Sequence, residues 1–356
     1  MTSPSAILPL AHEKWFINAS DLPLQPEHLT TLDRATAVAV ALVIAATCLG
    51  YWLVRGRRDV FPGPIELGAS PRGLRRFLGL VPLVLALHLG IPLVISALNS
   101  HLATPNVALA GPARYLFGLM QLGIALALIY GALTRLAAVA LAAMWMLGLF
   151  AVGVEPMLEN IFLLGFAGFF WLAGRGPASV DAMILPRLMP DGRHAHLAFS
   201  LLRGGLGLSM VVLAFTEKLA NPALAAAFLR QHQLNFSEWV GLPMSDHSFV
   251  VCAGCVELLV GLLVTMGVFP RPVILLAWVP FNASLMVFQW QELIGHLPFY
   301  GGLAVLLMWS ATPTERAAAI AAWTGRPIDE LPPTPPAADS SSAELPHPSA
   351  SAVRPA

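Results

Sequence analysis

Charge is scarce in this chain. Only 11% of its 356 residues are Asp, Glu, Lys or Arg, against about 25% in soluble domains, which excludes an ordinary soluble globular protein. The charge that is present cancels, 20 basic residues against 20 acidic, so there is no overall basic field to draw nucleic acid. Lysine is nearly missing: apart from Lys14 and Lys218 every basic residue is an arginine. The three cysteines, Cys48, Cys252 and Cys255, are too few for a disulfide framework, and no spaced pairs of ligands read as a zinc cluster. The sequence has no P-loop, zinc-protease helix or nucleophile elbow, and Gly204-Gly205-Leu206-Gly207 lies inside an apolar run, where it reads as a packing surface rather than a phosphate cradle.

The chain is instead rich in apolar residues, 57% of the total, with a mean hydropathy of +0.72. Crossing a hydrocarbon core of roughly 30 Å takes about 20 apolar residues. Nine runs qualify: 35–54, 77–98, 115–134, 136–154, 160–174, 197–216, 248–270, 272–290 and 293–311. The fifth is short and can be extended outward through Pro156, Met157 and Leu158. Pro82, Pro92, Pro280 and Pro298 read as kinks, because neighbouring helices in a bundle re-satisfy the freed carbonyls. Arginines cluster between runs one and two (Arg55, Arg57, Arg58, Arg72, Arg75, Arg76) and between runs five and six (Arg175, Arg187, Arg193). By the positive-inside rule those loops are cytoplasmic, the amino terminus is outside and the carboxyl terminus is inside, the expected setting being a bacterial inner membrane. Residues 1–34 carry no positive n-region followed by an apolar h-region and read as an extracytoplasmic lead. Residues 327–356 are rich in Pro, Ser and Ala and read as a disordered cytoplasmic tail.

Runs two to five superpose on runs six to nine. An offset of 136 pairs Gly118 with Gly254, Gln121 with Glu257, Gly131 with Gly267, Arg135 with Arg271, Asn160 with His296 and Gly165 with Gly301; an offset of 128 pairs Arg75 with Arg203 and Gly79 with Gly207. Glycines coincide easily in apolar helices, but the polar pairs do not, so the sequence reads as a tandem duplication in parallel orientation. The expected fold is therefore all-α: a polytopic transmembrane protein of about nine spans, with one additional helix at 35–54 and two four-helix units at 75–181 and 197–312.

Within these units Arg203-Gly204-Gly205-Leu206-Gly207, Glu217-Lys218-Leu219, Val256-Glu257-Leu258-Leu259-Val260-Gly261 and Gly267 with Arg271 resemble the DoxX pattern of small four-helix membrane proteins. Gly174-Arg175-Gly176-Pro177-Ala178-Ser179-Val180-Asp181 resembles the exit segment typical of that family. The first unit departs from the pattern, with Gly90 and Gln121 where the second has Lys218 and Glu257, so chemistry is expected in the second. The resemblance implies kinship with the membrane subunit of thiosulfate:quinone oxidoreductases and with other members linked to membrane redox complexes.

Glu257 lies about 13 Å into its span at 1.5 Å per residue, where a charge costs about 2.5–3.5 kcal/mol on insertion scales unless it is paired, protonated or wet. It shares an arc of about 80° with Val250, Gly254, Gly261 and Val264, a small-residue face that turns it into the bundle. Two readings stand side by side, a proton or ligand site and a structural hydrogen-bond anchor. Arg203 and Lys218 share a face of the sixth run. Lys218 is expected to close the outer end of a cavity holding Glu257, with His296 entering from the ninth run; snorkelling and capping are the plain alternatives. Glu257, Lys218 and His296 are the candidates for catalysis, and Arg203, Glu257 and Lys218 for substrate binding. His88 reads as a bonded interior histidine. Cys252 and Cys255 form a C-x-x-C pair pointing about 170° from Glu257 and read as packing residues. Neither metal nor nucleotide is expected. The leading functional expectation is a quinone-interacting subunit of an oxidoreductase whose electrons come from a soluble or membrane redox partner. A small-solute or ion permease and a non-catalytic membrane scaffold are the alternatives.

Overall fold

The computed structural model describes Lys14 and residues 32–54, 59–192, 194–232, 235–238, 241–309 and 313–324; the remainder of the lead and the tail at 327–356 lie outside the described residues. Among these the molecule is all-helical, with a lone bridge between His101 and Ala108 as its only extended pairing. In chain order the helices are α1 (Arg34–Val54), α2 (Pro71–Leu98), α3 (Ala113–Tyr130), α4 (Thr134–Ala151), α5 (Val154–Glu159), α6 (Phe162–Ala173), α7 (Val180–Ile184), α8 (Ala198–Leu213), α9 (Pro222–His232), α10 (Asp246–Met266), α11 (Pro270–Met308) and α12 (Pro313–Thr324). Six are long and apolar enough to cross a membrane: α1, α2, α3, α4, α8 with the turn that continues it, and α10.

Local chemistry sets the helix ends. Asp33 accepts from the amides of Ala35 and Thr36 to start α1, and Ser70, followed by Pro71, caps α2, in keeping with the orphan amides of a first turn. The α3–α4 turn is clamped from both sides by one segment. Arg175 donates from Nε to the Leu128 carbonyl at 2.9 Å and from Nη2 to Ile129 at 3.1 Å, while Asp181 accepts from the amides of Leu133 and Thr134 at 2.6 and 2.8 Å. A cation thus sits on a helix C-terminus and a carboxylate on a helix N-terminus, each matched to the local dipole.

Close helix contacts rest on glycine. A Cβ on Gly205 of α8 would fall 2.7 Å from the Gly165 Cα of α6, and one on Gly207 would fall 2.7 Å from the Gly261 carbonyl of α10. These small-residue contacts are how helices approach each other without a hydrophobic drive in lipid. At one end Phe169 meets Phe199 and Trp323 edge to face, with centroids 5.7 and 5.6 Å apart, and closes the core.

Several elements carry features beyond the expected runs. Helix α11 covers 39 residues as two helical arms that meet at Gln289, with φ 57°, ψ −130°. Straight, it would separate Phe281 from His296 by about 22 Å; instead their rings stack 4.7 Å apart. It is a hairpin of two antiparallel arms. Helix α8 passes at Ala214 into a π-helical turn ending at Leu219. The fifth run is helical only over Phe162–Ala173, preceded by short α5, and α9 and α12 lie where no element was expected.

Candidate functional site

The π turn presents Glu217 and Lys218 side by side, 1% and 6% exposed. Its extra residue re-aims the side chains that follow, as π-bulges commonly do at sites of function. Gly254 of α10 lets the turn in: a Cβ there would sit 2.8 Å from Leu219 and 3.1 Å from the Lys218 Cβ. The Lys218 Nζ then reaches Glu257 Oε2 at 3.0 Å and Glu217 Oε2 at 3.9 Å. His296, on the second arm of α11, is buried, stacks on Phe281, and faces Glu292 through Nδ1 at 3.1 Å.

Lys218, Glu257 and His296 line one cavity of about 450 Å³. Its other walls are almost wholly apolar, Met210, Phe249, Val260 and Phe299 among them. Val256, Leu276 and Val279 on its rim are exposed on the outer surface of the bundle. The cavity follows the α10 stripe Phe249, Cys252, Ala253, Val256, Val260, with Glu257 at its edge. The glycine face itself is filled by α8 and the π turn. Cys252 therefore lies in the cavity wall, a correction to the expectation that both thiols point away from it. Cys255 packs with the cluster around Val40 of α1 and Leu258.

Arg203 does not join the cavity. It lies at the other end of α8, its guanidinium where a Cβ on Gly267 would have to be, so the expectation that it binds substrate gives way to a packing position. His88 donates from Nδ1 to the Val84 carbonyl, 2.7 Å away, as expected of a bonded interior histidine. Gln121 of α3, the residue that the sequence offset pairs with Glu257, is held by backbone: it accepts from Ala103 N and donates to His101 O, both at 2.8 Å.

Beyond the wall formed by Leu213 and Phe299 lies a second, water-sized cavity of about 10 Å³ lined by Thr104, Glu159, Asn160 and Glu217. Lys14 reaches this region from the lead, pairing with Glu155 Oε1 at 2.6 Å and with Glu159. Burial pulls the Lys14 ammonium down, but Glu159, Glu217 and Glu155 outweigh that pull and hold it above the ordinary lysine value. For Glu159 burial pushes the carboxyl up, and the nearby Glu217 adds to the push against Lys14 and Thr216, leaving it above the usual range. Sequence reasoning passed over Lys14, Glu155, Glu159, Glu217 and Glu292 as site residues. The signal available was Glu217 directly before Lys218; nothing in the sequence ties Lys14 to Glu155 and Glu159, 141 and 145 residues away. Among the described residues no three His, Cys, Asp or Glu side chains are grouped as metal ligands.

Comparison with protein-family models, curated proteins and solved structures finds no match to this chain. Its functional reading therefore rests on the geometry just described.

Proposed function

We propose that this is an integral membrane protein of about nine spans, two DoxX-like four-helix units behind one additional helix, and that the Lys218–Glu257–His296 cavity binds the head group of a membrane quinone. One observation carries the ligand assignment: three polar side chains meet at an apolar cavity whose rim residues Val256, Leu276 and Val279 are 48%, 60% and 65% exposed. In a bilayer such a rim faces lipid, and a lipid-facing mouth suits a molecule with a polar ring and an apolar tail better than a water-soluble solute. The residues fit that ring. Its carbonyl oxygens need donors, which the Lys218 ammonium and the His296 ring supply, while Glu257 can accept from a ring hydroxyl and hold its proton at Oε2 beside Lys218. A bound quinone would supply the two-electron, two-proton couple; the chain's own part is to orient the ring, exclude water and carry protons. Electrons come from a partner protein in this reading, as the DoxX resemblance implies.

The duplication is supported by the backbone. Gly131 and Gly267, 136 residues apart, have φ 68° and 70°, and Leu133 and Phe269 have φ 53° and 42°. The two turns share one hydrogen-bond pattern: Gly131 and Ala132 donate to Leu128 and Ala127, and Gly267 and Val268 donate to Val264 and Leu263. The α11 hairpin supplies the eighth and ninth spans of the count.

The test is equilibrium binding of a short-chain ubiquinone analogue to the protein in lipid nanodiscs. Binding is expected, with Glu257→Gln or Lys218→Met weakening it about tenfold, or 1.4 kcal/mol. If the folded wild type binds no analogue, or if Glu257→Gln, Lys218→Met and His296→Ala all bind as wild type does, the assignment is wrong; solute flux in liposomes under those conditions would favour a permease.

A further inference from the structure

The helices surround Lys14 with acceptors. Glu155 and Glu159 reach it from α5, both as ion pairs, and Glu217 stands close enough in the π turn to act on its charge. Glu159 and Glu217 are 4% and 1% exposed, so these are not surface carboxylates that met a lysine by chance. Asn160, 2% exposed, lines the same small cavity. Its Nδ2 donates to Thr104 Oγ1 at 3.2 Å and to the Pro156 carbonyl at 2.8 Å, and its Oδ1 has no hydrogen-bond partner. Two donors nearby are engaged with carboxylates: Asn106 Nδ2 lies 3.5 Å from Glu159 Oε2, and Lys218 pairs with Glu217 and Glu257.

A ring of acceptors containing two deeply buried carboxylates repels anions. It fits a cation that carries its own N–H donors. A primary ammonium offers three, enough for Glu155, Glu159 and a third acceptor such as the Asn160 oxygen. We propose that this is a primary-ammonium site, that Lys14 is its tethered occupant, and that a small free amine of the methylammonium class competes with Lys14 for it. The inference goes beyond the quinone reading and does not depend on it, because the wall of Leu213 and Phe299 separates the two cavities. Tethering raises the effective concentration of Lys14 into the millimolar range or above, so a competitor must be supplied at tens to hundreds of millimolar.

The intact protein offers a direct readout, since an endoproteinase specific for lysine can cut only after Lys14 and Lys218, and Lys218 is buried. Methylammonium chloride should speed cleavage after Lys14 about fivefold with saturation. Tetramethylammonium chloride, equal in charge but without N–H donors, should not. A second arm uses Lys14→Ala: its melting temperature should fall below wild type and rise again with methylammonium, but not with tetramethylammonium, and Lys14→Ala/Glu159→Gln should show no such recovery. If Lys14→Ala cannot be recovered folded, the cleavage assay on wild type decides alone. Equal effects of the two salts, or no effect of methylammonium on either sample, would overturn the proposal.

Discussion

Lys14 and Lys218, the chain's two lysines, each tie elements together through carboxylates: Lys14 of the lead pairs with Glu155 and Glu159 of α5, and Lys218 joins the π turn to α10. Arg175 and Arg271 instead engage backbone carbonyls near helix ends, where a rigid fork is useful. A compact ammonium with three rotatable donors suits a site of several acceptors. Removing Lys218 leaves Glu257 without this pair in an apolar wall. Lys218→Met should destabilise the protein by about 2–3 kcal/mol, below the 3–5 of a fully buried pair because Glu257 is still 23% exposed. Lys218→Met/Glu257→Gln should recover more than half of that loss in thermal unfolding. Glu159 allows a pH prediction. Its carboxyl holds a proton more tightly folded than unfolded, so the stability it contributes is fully present below the ordinary value of 4.5 and is lost as pH rises through the raised folded value. The melting temperature of wild type should fall as pH climbs upward from 4.5, and Glu159→Gln, fixed in the neutral form, should show a flatter profile over that window. Glu257 and His296 were legible as candidates because a polar group inside an apolar run announces itself, and Lys218 because it follows such a run directly after Glu217. Glu159 was not, because it sits at the edge of a run, where a charge is ordinary, and Lys14 was not, because it lies in the lead, away from any run.

Among elements, the most constrained is the reversal at Gln289, whose φ of 57° with ψ of −130° is a conformation that glycine adopts freely and other residues do not. Gln289→Gly should therefore leave the protein as stable as wild type or raise its stability by about 1 kcal/mol, and Gln289→Val should lower it; denaturation of the two variants in matched detergent distinguishes these outcomes. The contact of α6 with α8 gives the opposite expectation for glycine. Gly205→Val must place side-chain atoms into the Gly165 backbone, 2.7 Å from the first added carbon, and should cost more than about 3 kcal/mol. Gly123→Ala, with open space around it, should be neutral within about 0.5 kcal/mol. Span lengths were legible because about 20 apolar residues match a bilayer. The π turn was not, since Ala214-Phe215-Thr216-Glu217-Lys218-Leu219 reads as ordinary helix and only the fit against Gly254 selects the extra residue. Helix α9 was missed although Asn221 followed by Pro222 is a helix-start signal, and Asn221 Oδ1 does accept from Leu224 N at 3.3 Å.

Over the whole molecule, one segment does in the first half what a different segment does in the second. Asp181 caps the start of α4 from the segment that follows α6, whereas the turn before α11 is met by Asp59, whose Oδ2 accepts from Arg271 N at 3.1 Å while Arg271 Nη1 donates to the Phe61 carbonyl at 2.9 Å. The segment that follows α1 is thus tied to the start of α11, a dependence that no periodicity in the sequence could reveal because the partners are 212 residues apart. The same arrangement gathers Arg175, Arg203 and Arg271 at one end of the bundle and Lys14, Glu159 and Lys218 at the other. If arginine retention sets orientation, the first end is cytoplasmic and the second extracytoplasmic. In a background with Cys48, Cys252 and Cys255 replaced by serine, Arg187→Cys probes the arginine end and Glu238→Cys the opposite one, both at exposed positions. A membrane-impermeant maleimide added to right-side-out spheroplasts should label Glu238→Cys at once and Arg187→Cys only after permeabilisation. The reverse pattern would invert the orientation. Protection of both positions, or labelling of both without permeabilisation, would mean that the two ends do not face opposite sides of a membrane, and the proposed quinone assignment would then lose the lipid-facing mouth on which it rests.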